Sequence, residues 1–219
     1  MTTDNNKIKR WILPRPIEND EIKGCTLNHT LQKVLRRRGI NLEEGLDDFL
    51  TPSELPDPET HFNDLNMATE RIIKACESNE RIAICGDYDA AGITSTVLLL
   101  ELFTQLGANV IPFIPSRKDD GYGLNIKMID EIYLREIKLI ITVDNGISAF
   151  EAIKRANQLE IDLIITDHHR IPNNNIDTYA MIHPERSPQD SPYKYLAGVG
   201  IAYMLADNIC KRLNFDIDK

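Results

Sequence analysis

The stretch Ile82-Ala83-Ile84-Cys85-Gly86-Asp87-Tyr88-Asp89-Ala90-Ala91-Gly92-Ile93-Thr94-Ser95 decides the fold. Four apolar residues between Glu80-Arg81 and Gly86 spell a buried strand. Gly86, Asp87, Asp89 and Gly92 then form a tight turn, and Thr94-Ser95 open a long apolar helix. The acids thus sit at the carboxyl end of a strand. In open α/β sheets that is the side on which ligands bind.

Downstream the pattern repeats. After the strand at 82–85 and a helix at 94–106 comes a strand at 110–114, then a loop holding Arg117 and Gly121-Tyr122-Gly123. A helix at 126–134, a strand at 139–143, a helix at 148–159 and a strand at 163–166 come next. A polar loop, a short strand at 180–182 and a helix at about 199–213 complete the series. This alternation predicts an α/β fold, a parallel, doubly wound sheet with helices on both faces and right-handed crossovers.

A short helical segment precedes the sheet. Residues 1–26 are polar, with Trp11, Pro14 and Pro16, and read as extended or loosely tethered. Thr26 and Asn28 then open a helix with Leu27, Leu31, Val34 and Leu35 on one face, closing at Arg36-Arg37-Arg38-Gly39. A shorter helix carries Leu42, Leu46, Phe49 and Leu50 and ends before Pro52, and Pro56 and Pro58 mark a linker. The helix from Leu65 leads into the first strand. The expected division is an N-terminal segment, 1–64, and an α/β domain, 65–219. The end of the sequence carries no cap or stop signal, so that domain is expected to be incomplete at its C-terminus.

The composition is that of a globular protein, 42% hydrophobic and 27% charged over 219 residues. No apolar run is long enough to span a bilayer. Cys25, Cys76, Cys85 and Cys210 are widely spaced, without a Cys-x-x-Cys pair, and read as free thiols in a reducing cytoplasm. The net charge of −9 argues against broad binding to nucleic acid by phosphate neutralisation. It leaves open a metal-dependent phosphoesterase, in which cations sit among the carboxylates.

Three strand ends carry chemistry. The first offers Asp87 and Asp89, the second Asp144 in Val143-Asp144-Asn145-Gly146, the third Asp167-His168-His169. A single aspartate after a strand is more often a turn former or helix cap. Three such ends in one parallel sheet favour a metal site. Carboxylate oxygens with imidazole nitrogens suit Mn²⁺, with Mg²⁺ and Zn²⁺ as alternatives. A glycine-flanked helix start at Gly198-Val199-Gly200 is an anion site or a point of close helix packing.

Gly86–Ser95, Val143-Asp144-Asn145-Gly146 and Asp167-His168-His169 resemble three motifs of the DHH phosphoesterase superfamily, and within it the RecJ-like exonucleases. Pro115-Ser116-Arg117, Gly121-Tyr122-Gly123-Leu124, His183-Pro184 and Leu196-Ala197-Gly198-Val199-Gly200 resemble RecJ-like stretches in the same order. The resemblance spans about residues 27–213. It implies a cytoplasmic, two-metal (Mn²⁺ or Mg²⁺) 5′→3′ exonuclease specific for single-stranded DNA and serving DNA repair and recombination. Its implied partners are single-stranded DNA and single-strand-binding and repair proteins, with no membrane. Asp89, Asp144 and His168 would be metal ligands. Asp87 would be a ligand or an acid just behind the ligands, and His169 a ligand or a transition-state contact. Arg117, Gly198 and Gly200 would meet the DNA backbone.

Two departures bear on activity. The family pattern Asp-x-Asp-Gly has Ala91 in place of its second aspartate, which removes a metal-binding carboxylate. A later motif with another metal-binding aspartate is absent from the sequence, as are a second domain and an oligonucleotide-binding module. The expectation is an inactive N-terminal portion of a RecJ-like exonuclease. The alternatives are a non-catalytic DHH-fold binding or partner module, favoured by Ala91, and a DHH phosphodiesterase acting on short oligonucleotides or cyclic dinucleotides. The RecJ-like N-terminal segment and the Gly121-Tyr122-Gly123 loop count against the last.

Overall fold

Asn28 opens helix α1 (His29–Arg37) by accepting a hydrogen bond from the Leu31 amide at 2.9 Å. The structure is a computed structural model and describes residues 12–17, 27–51, 55–118 and 121–216. Trp11, Cys25, Thr26 and Pro52 lie outside the described residues. The chain divides into two units, Met1–Leu55 and Pro56–Lys219. In the first, α1 and α2 (Leu46–Leu50) accompany a small cluster of Ile17, Leu35 and Leu42. The expected apolar face of α1 is only partly used: Leu35 is buried, whereas Leu31 and Val34 are exposed.

The second unit holds the sheet. Helix α3 (Leu65–Glu77) feeds β1 (Ile82–Gly86), and α4 (Ala90–Gln105) leads to β2 (Val110–Phe113). Then come α5 (Ile126–Leu134), β3 (Leu139–Val143), α6 (Phe150–Gln158), β4 (Asp162–Thr166), β5 (Ala180–Ile182) and α7 (Gly198–Leu213). The strands are parallel in the order β2-β1-β3-β4-β5, the α/β architecture expected from the alternation. β1 and β3 are buried throughout, as strands covered on both faces must be. Ile82, Ile84, Leu139 and Ile141 pack on one face with α3, α4 and α7. Ala83, Cys85, Ile140 and Ile165 pack on the other with α5 and α6. Pro112, which lacks an amide hydrogen, sits on the edge strand β2.

The chain leaves β1 toward β2 on one side and returns to β3 on the other. The carboxyl ends of β1 and β3 therefore flank the topological switch point, where the connecting loops part and leave a crevice. Among the described residues no helix is long and apolar enough to cross a membrane. Cys76, Cys85 and Cys210 are free thiols.

One boundary differs from its expectation in a way that matters. The helix expected from residue 94 begins at Ala90, because Asp89 caps it by accepting from the Gly92 amide at 3.0 Å. Thr94 and Ser95 lie inside the helix, their hydroxyls donating to the carbonyls of Ala90 and Ala91. Ala91 thus belongs to the first helical turn.

At the opposite end of the sheet, Arg71 of α3 clamps two strand entries. Its guanidinium donates to Asp162 Oδ2 at 2.6 Å and to both oxygens of Glu80 at 3.0 and 2.7 Å. Arg71→Met leaves both carboxylates without their partner. It is expected to lower stability by about 1–3 kcal/mol, read by urea denaturation.

Candidate metal centre

Register builds the centre. Gly86 pairs with Val143, and Val143 with Thr166, so the next residues, Asp87, Asp144 and Asp167, leave three adjacent strands at one level. All three are buried, at 1%, 2% and 1% exposure. Buried carboxylates must be hydrogen-bonded, paired or bound to a cation.

Asp167 is fully hydrogen-bonded. Its Oδ1 accepts from the His168 amide (2.7 Å), the His169 amide (3.0 Å) and His169 Nδ1 (2.7 Å), and its Oδ2 from the Ile147 amide (3.0 Å). An ionised carboxylate only accepts, so His169 Nδ1 donates to it, and Nε2 is the ring nitrogen left to meet an ion. Tyr122 hydroxyl stands 3.3 Å from that Nε2 and 3.2 Å from the Asp144 carbonyl oxygen.

Asp144 differs. Its backbone is left-handed, at φ 60°, and its amide donates to the Thr166 carbonyl at 3.0 Å. His168 Nε2 lies 3.1 Å from Asp144 Oδ1, yet that oxygen accepts no hydrogen bond. Asp87 Oδ1 is likewise buried without a donor. Burial, foremost, with Asp89 and Asp167 adding to it, holds the Asp144 carboxyl above its ordinary pKa against the pull of His168 and His169. Burial, then Asp87, Asp167, Asp144 and Asp89, raises the Tyr122 hydroxyl too. The pocket is short of positive charge.

A divalent cation would supply that charge. Asp144, His168 and His169 each offer a ligand atom, all within 4.8 Å of one another. Oxygen and imidazole nitrogen donors beside two orphaned carboxylate oxygens fit such an ion. Asp89 is not in that group: it is exposed and its carboxylate caps α4. Asp87 lies one residue past the end of β1, held where Gly92 approaches its backbone. A Cβ at Gly92 would fall 2.5 Å from the Asp87 carbonyl oxygen. Ala91 is half-buried. Arg117 is exposed, its guanidinium 5.4 Å from the centre of the Tyr88 ring. Gly198 lies against the Asp144 carboxylate, and Gly200 against Leu196. A cleft of about 330 Å³ runs beside the centre between Tyr122, Gly123, Gly146, Ile147 and His169.

Several supporting residues escape a reading of the sequence. Asn145 is buried, donates to the carbonyls of Cys85 and Val143 (2.9 Å each) and accepts from the Leu124 amide (3.1 Å). It ties two strand ends to the Gly121–Leu124 loop; the sequence places it in Val143-Asp144-Asn145-Gly146 without giving it a role. His183 Nε2 donates to the His169 carbonyl at 2.7 Å while its Nδ1 accepts from the Glu185 amide at 3.1 Å. Burial pulls its pKa down, which keeps this single-proton arrangement. No local signal marks either role, because each depends on a partner distant in sequence.

The DHH family, N-terminal domain, matches residues 81–219. The chain is 38% identical over 203 residues to the single-stranded-DNA-specific exonuclease RecJ of Bacillus subtilis, covering 90% of this chain and 26% of that protein. It is 38% identical over 202 residues to RecJ of Escherichia coli, covering 90% and 34%. It thus spans about a quarter to a third of the length of these curated relatives. The crystal structure of RecJ in complex with Mn²⁺ from Thermus thermophilus superposes with a TM-score of 0.66 at 29% identity, covering 84% of this chain and 25% of that one. The matched region contains all three strand ends and the start of α7, and by it the chain belongs to the DHH family.

Proposed function

We propose that this chain carries part of the metal centre of a RecJ-like exonuclease, which hydrolyses single-stranded DNA from its 5′ end. We further propose that Ala91 leaves the centre impaired. The observation that carries this is the meeting of Asp144, His168 and His169 ligand atoms within 4.8 Å, beside buried carboxylate oxygens that no donor satisfies. Similarity to RecJ supports the choice of single-stranded DNA as substrate and of Mn²⁺ or Mg²⁺ as cofactor.

In this reading Asp144 and His168 hold a cation, and Asp89 joins them by turning its carboxylate from the α4 cap. Two such cations, when bound, acidify a water and neutralise charge on the phosphodiester. Asp167 fixes His169 so that Nε2 faces the reacting phosphate or an ion. Tyr122, whose hydroxyl donates to the Asp144 carbonyl, packs edge-on against the same ring. Arg117, on the open side, contacts the DNA backbone. Asp87, with its unpaired oxygen, sits behind the ligands and completes their negative charge.

Ala91 favours a second reading, a non-catalytic DHH-fold module that binds nucleic acid or a partner protein. A methyl group at the first turn of α4 supplies no ligand atom where the family pattern has a carboxylate.

Calorimetric titration with Mn²⁺ tests the centre. Ala91→Asp is expected to bind Mn²⁺ about tenfold or more tightly than the parent chain, or to gain a second site. Silence from both chains overturns the metal reading. The parent chain is expected to release no mononucleotides from a labelled single-stranded oligonucleotide with Mn²⁺. Robust release overturns the impairment. Asp167→Asn turns one acceptor oxygen into an NH₂ group that must face either the Ile147 amide or the three donors at Oδ1, and removes the charge that holds His169 Nδ1. In the Ala91→Asp background it is expected to cut Mn²⁺ affinity by about 10- to 100-fold, read by the same titration.

A further inference from the structure

We infer that Gly198 is a positioning residue. The bare backbone at the start of α7 sets where the Asp144 carboxylate sits, and so the cation affinity of the centre. This differs from a phosphate contact by the Gly198 amide. It rests on the proposed metal centre only for its binding readout.

The argument is steric. A Cβ at Gly198 would lie 2.0 Å from Asp144 Oδ1, 2.5 Å from its Cγ and 2.7 Å from its Cβ. Neither side has room to yield. On the helix side Ile201, Ala202, Leu205 and Ile209 are fully buried and anchor α7 in the core with α3 and α4. On the strand side the Asp144 amide donates to Thr166, its carbonyl accepts from Tyr122, and its φ is 60°. The crowding falls on the Asp144 carboxylate and, through its Cβ, on the strand end, and either displacement carries Oδ1 away from His168 Nε2, now at 3.1 Å.

The contact is also specific to this glycine. A Cβ at Gly200 would meet Leu196 Cδ2 at 3.0 Å, the far end of a flexible side chain. Ala197 provides no side-chain cap, and the backbone at Gly198 itself lies against the Asp144 carboxylate. The positive end of the helix lies next to an oxygen that accepts no hydrogen bond.

Mn²⁺ binding, followed by electron paramagnetic resonance of the free ion, is compared for the Ala91→Asp chain and for the same chain with Gly198→Ala or Gly200→Ala. Gly198→Ala is expected to weaken binding about tenfold or more, and Gly200→Ala less than about threefold. Unchanged affinity in Gly198→Ala, which keeps its amide N–H, overturns the inference. A double-mutant cycle reads the steric claim without metal. Gly198→Ala lowers the thermal unfolding midpoint, and the loss should fall by about half or more when Asp144→Gly removes the facing side chain. An equal loss in both backgrounds overturns the claim. If Gly198→Ala alone fails to fold, recovery of the fold by Asp144→Gly supports the inference, and no recovery overturns it. If the Ala91→Asp chain binds no Mn²⁺, the metal reading falls and the cycle alone decides the contact.

Discussion

Three carboxylates drawn out of water at adjacent strand ends set the terms for everything around them. Asp87, Asp144 and Asp167 follow β1, β3 and β4 in register, and none is more than 2% exposed. Like charges so placed repel, and burial penalises each further. The fold answers in different ways. Asp167 spends its oxygens on four N–H groups. Two helices, α4 and α7, begin at the same edge, which brings the positive ends of their dipoles there. Asp144 and Asp87 each keep an oxygen without a donor. Burial of this kind is tolerated in a folded protein where a further positive charge completes the site.

The same constraint explains which parts of the architecture could be read from the sequence. The apolar runs 82–85, 139–143 and 163–166 are flanked by turn residues and separated by helical spacing, and all appear as strands of one parallel sheet. Local pattern suffices there, because both faces of each strand are buried. It served less well at α4. Thr94-Ser95 look like a helix opening, but Asp89 caps a helix that starts at Ala90, four residues earlier. Capping residues compete, and the winner depends on where the strand releases the chain. It also served less well at α1, where Leu31 and Val34 follow helical spacing yet stay exposed.

The candidate site was legible as an edge and not as a set of roles. That Asp144, His168 and His169 reach one edge followed from a parallel sheet. Whether an acid would act as ligand, brace or cap did not. Asp89 and Asp167 look alike in sequence, each an acid after a strand, yet one caps a helix and the other orients an imidazole. The difference lies in which backbone N–H groups the turn presents, a property of three dimensions. Asn145 and His183 were harder still, since their partners lie on other elements.

Asn145 has a further consequence, in chemical ageing. An asparagine followed by glycine is the dipeptide most open to deamidation, because the small neighbour lets its amide nitrogen attack the side-chain carbonyl. Here the side chain is 1% exposed and held at three points, which keeps it out of the attacking geometry. When the chain unfolds that protection ends. The aspartate so formed would return with a carboxylate oxygen where the amide donated to the carbonyls of Cys85 and Val143, so that two attractive contacts become repulsive. Each excursion from the native state therefore risks a lasting covalent mark at the junction of β1 and β3. The stability of the sheet thus governs how long the site stays chemically intact as well as how it is shaped.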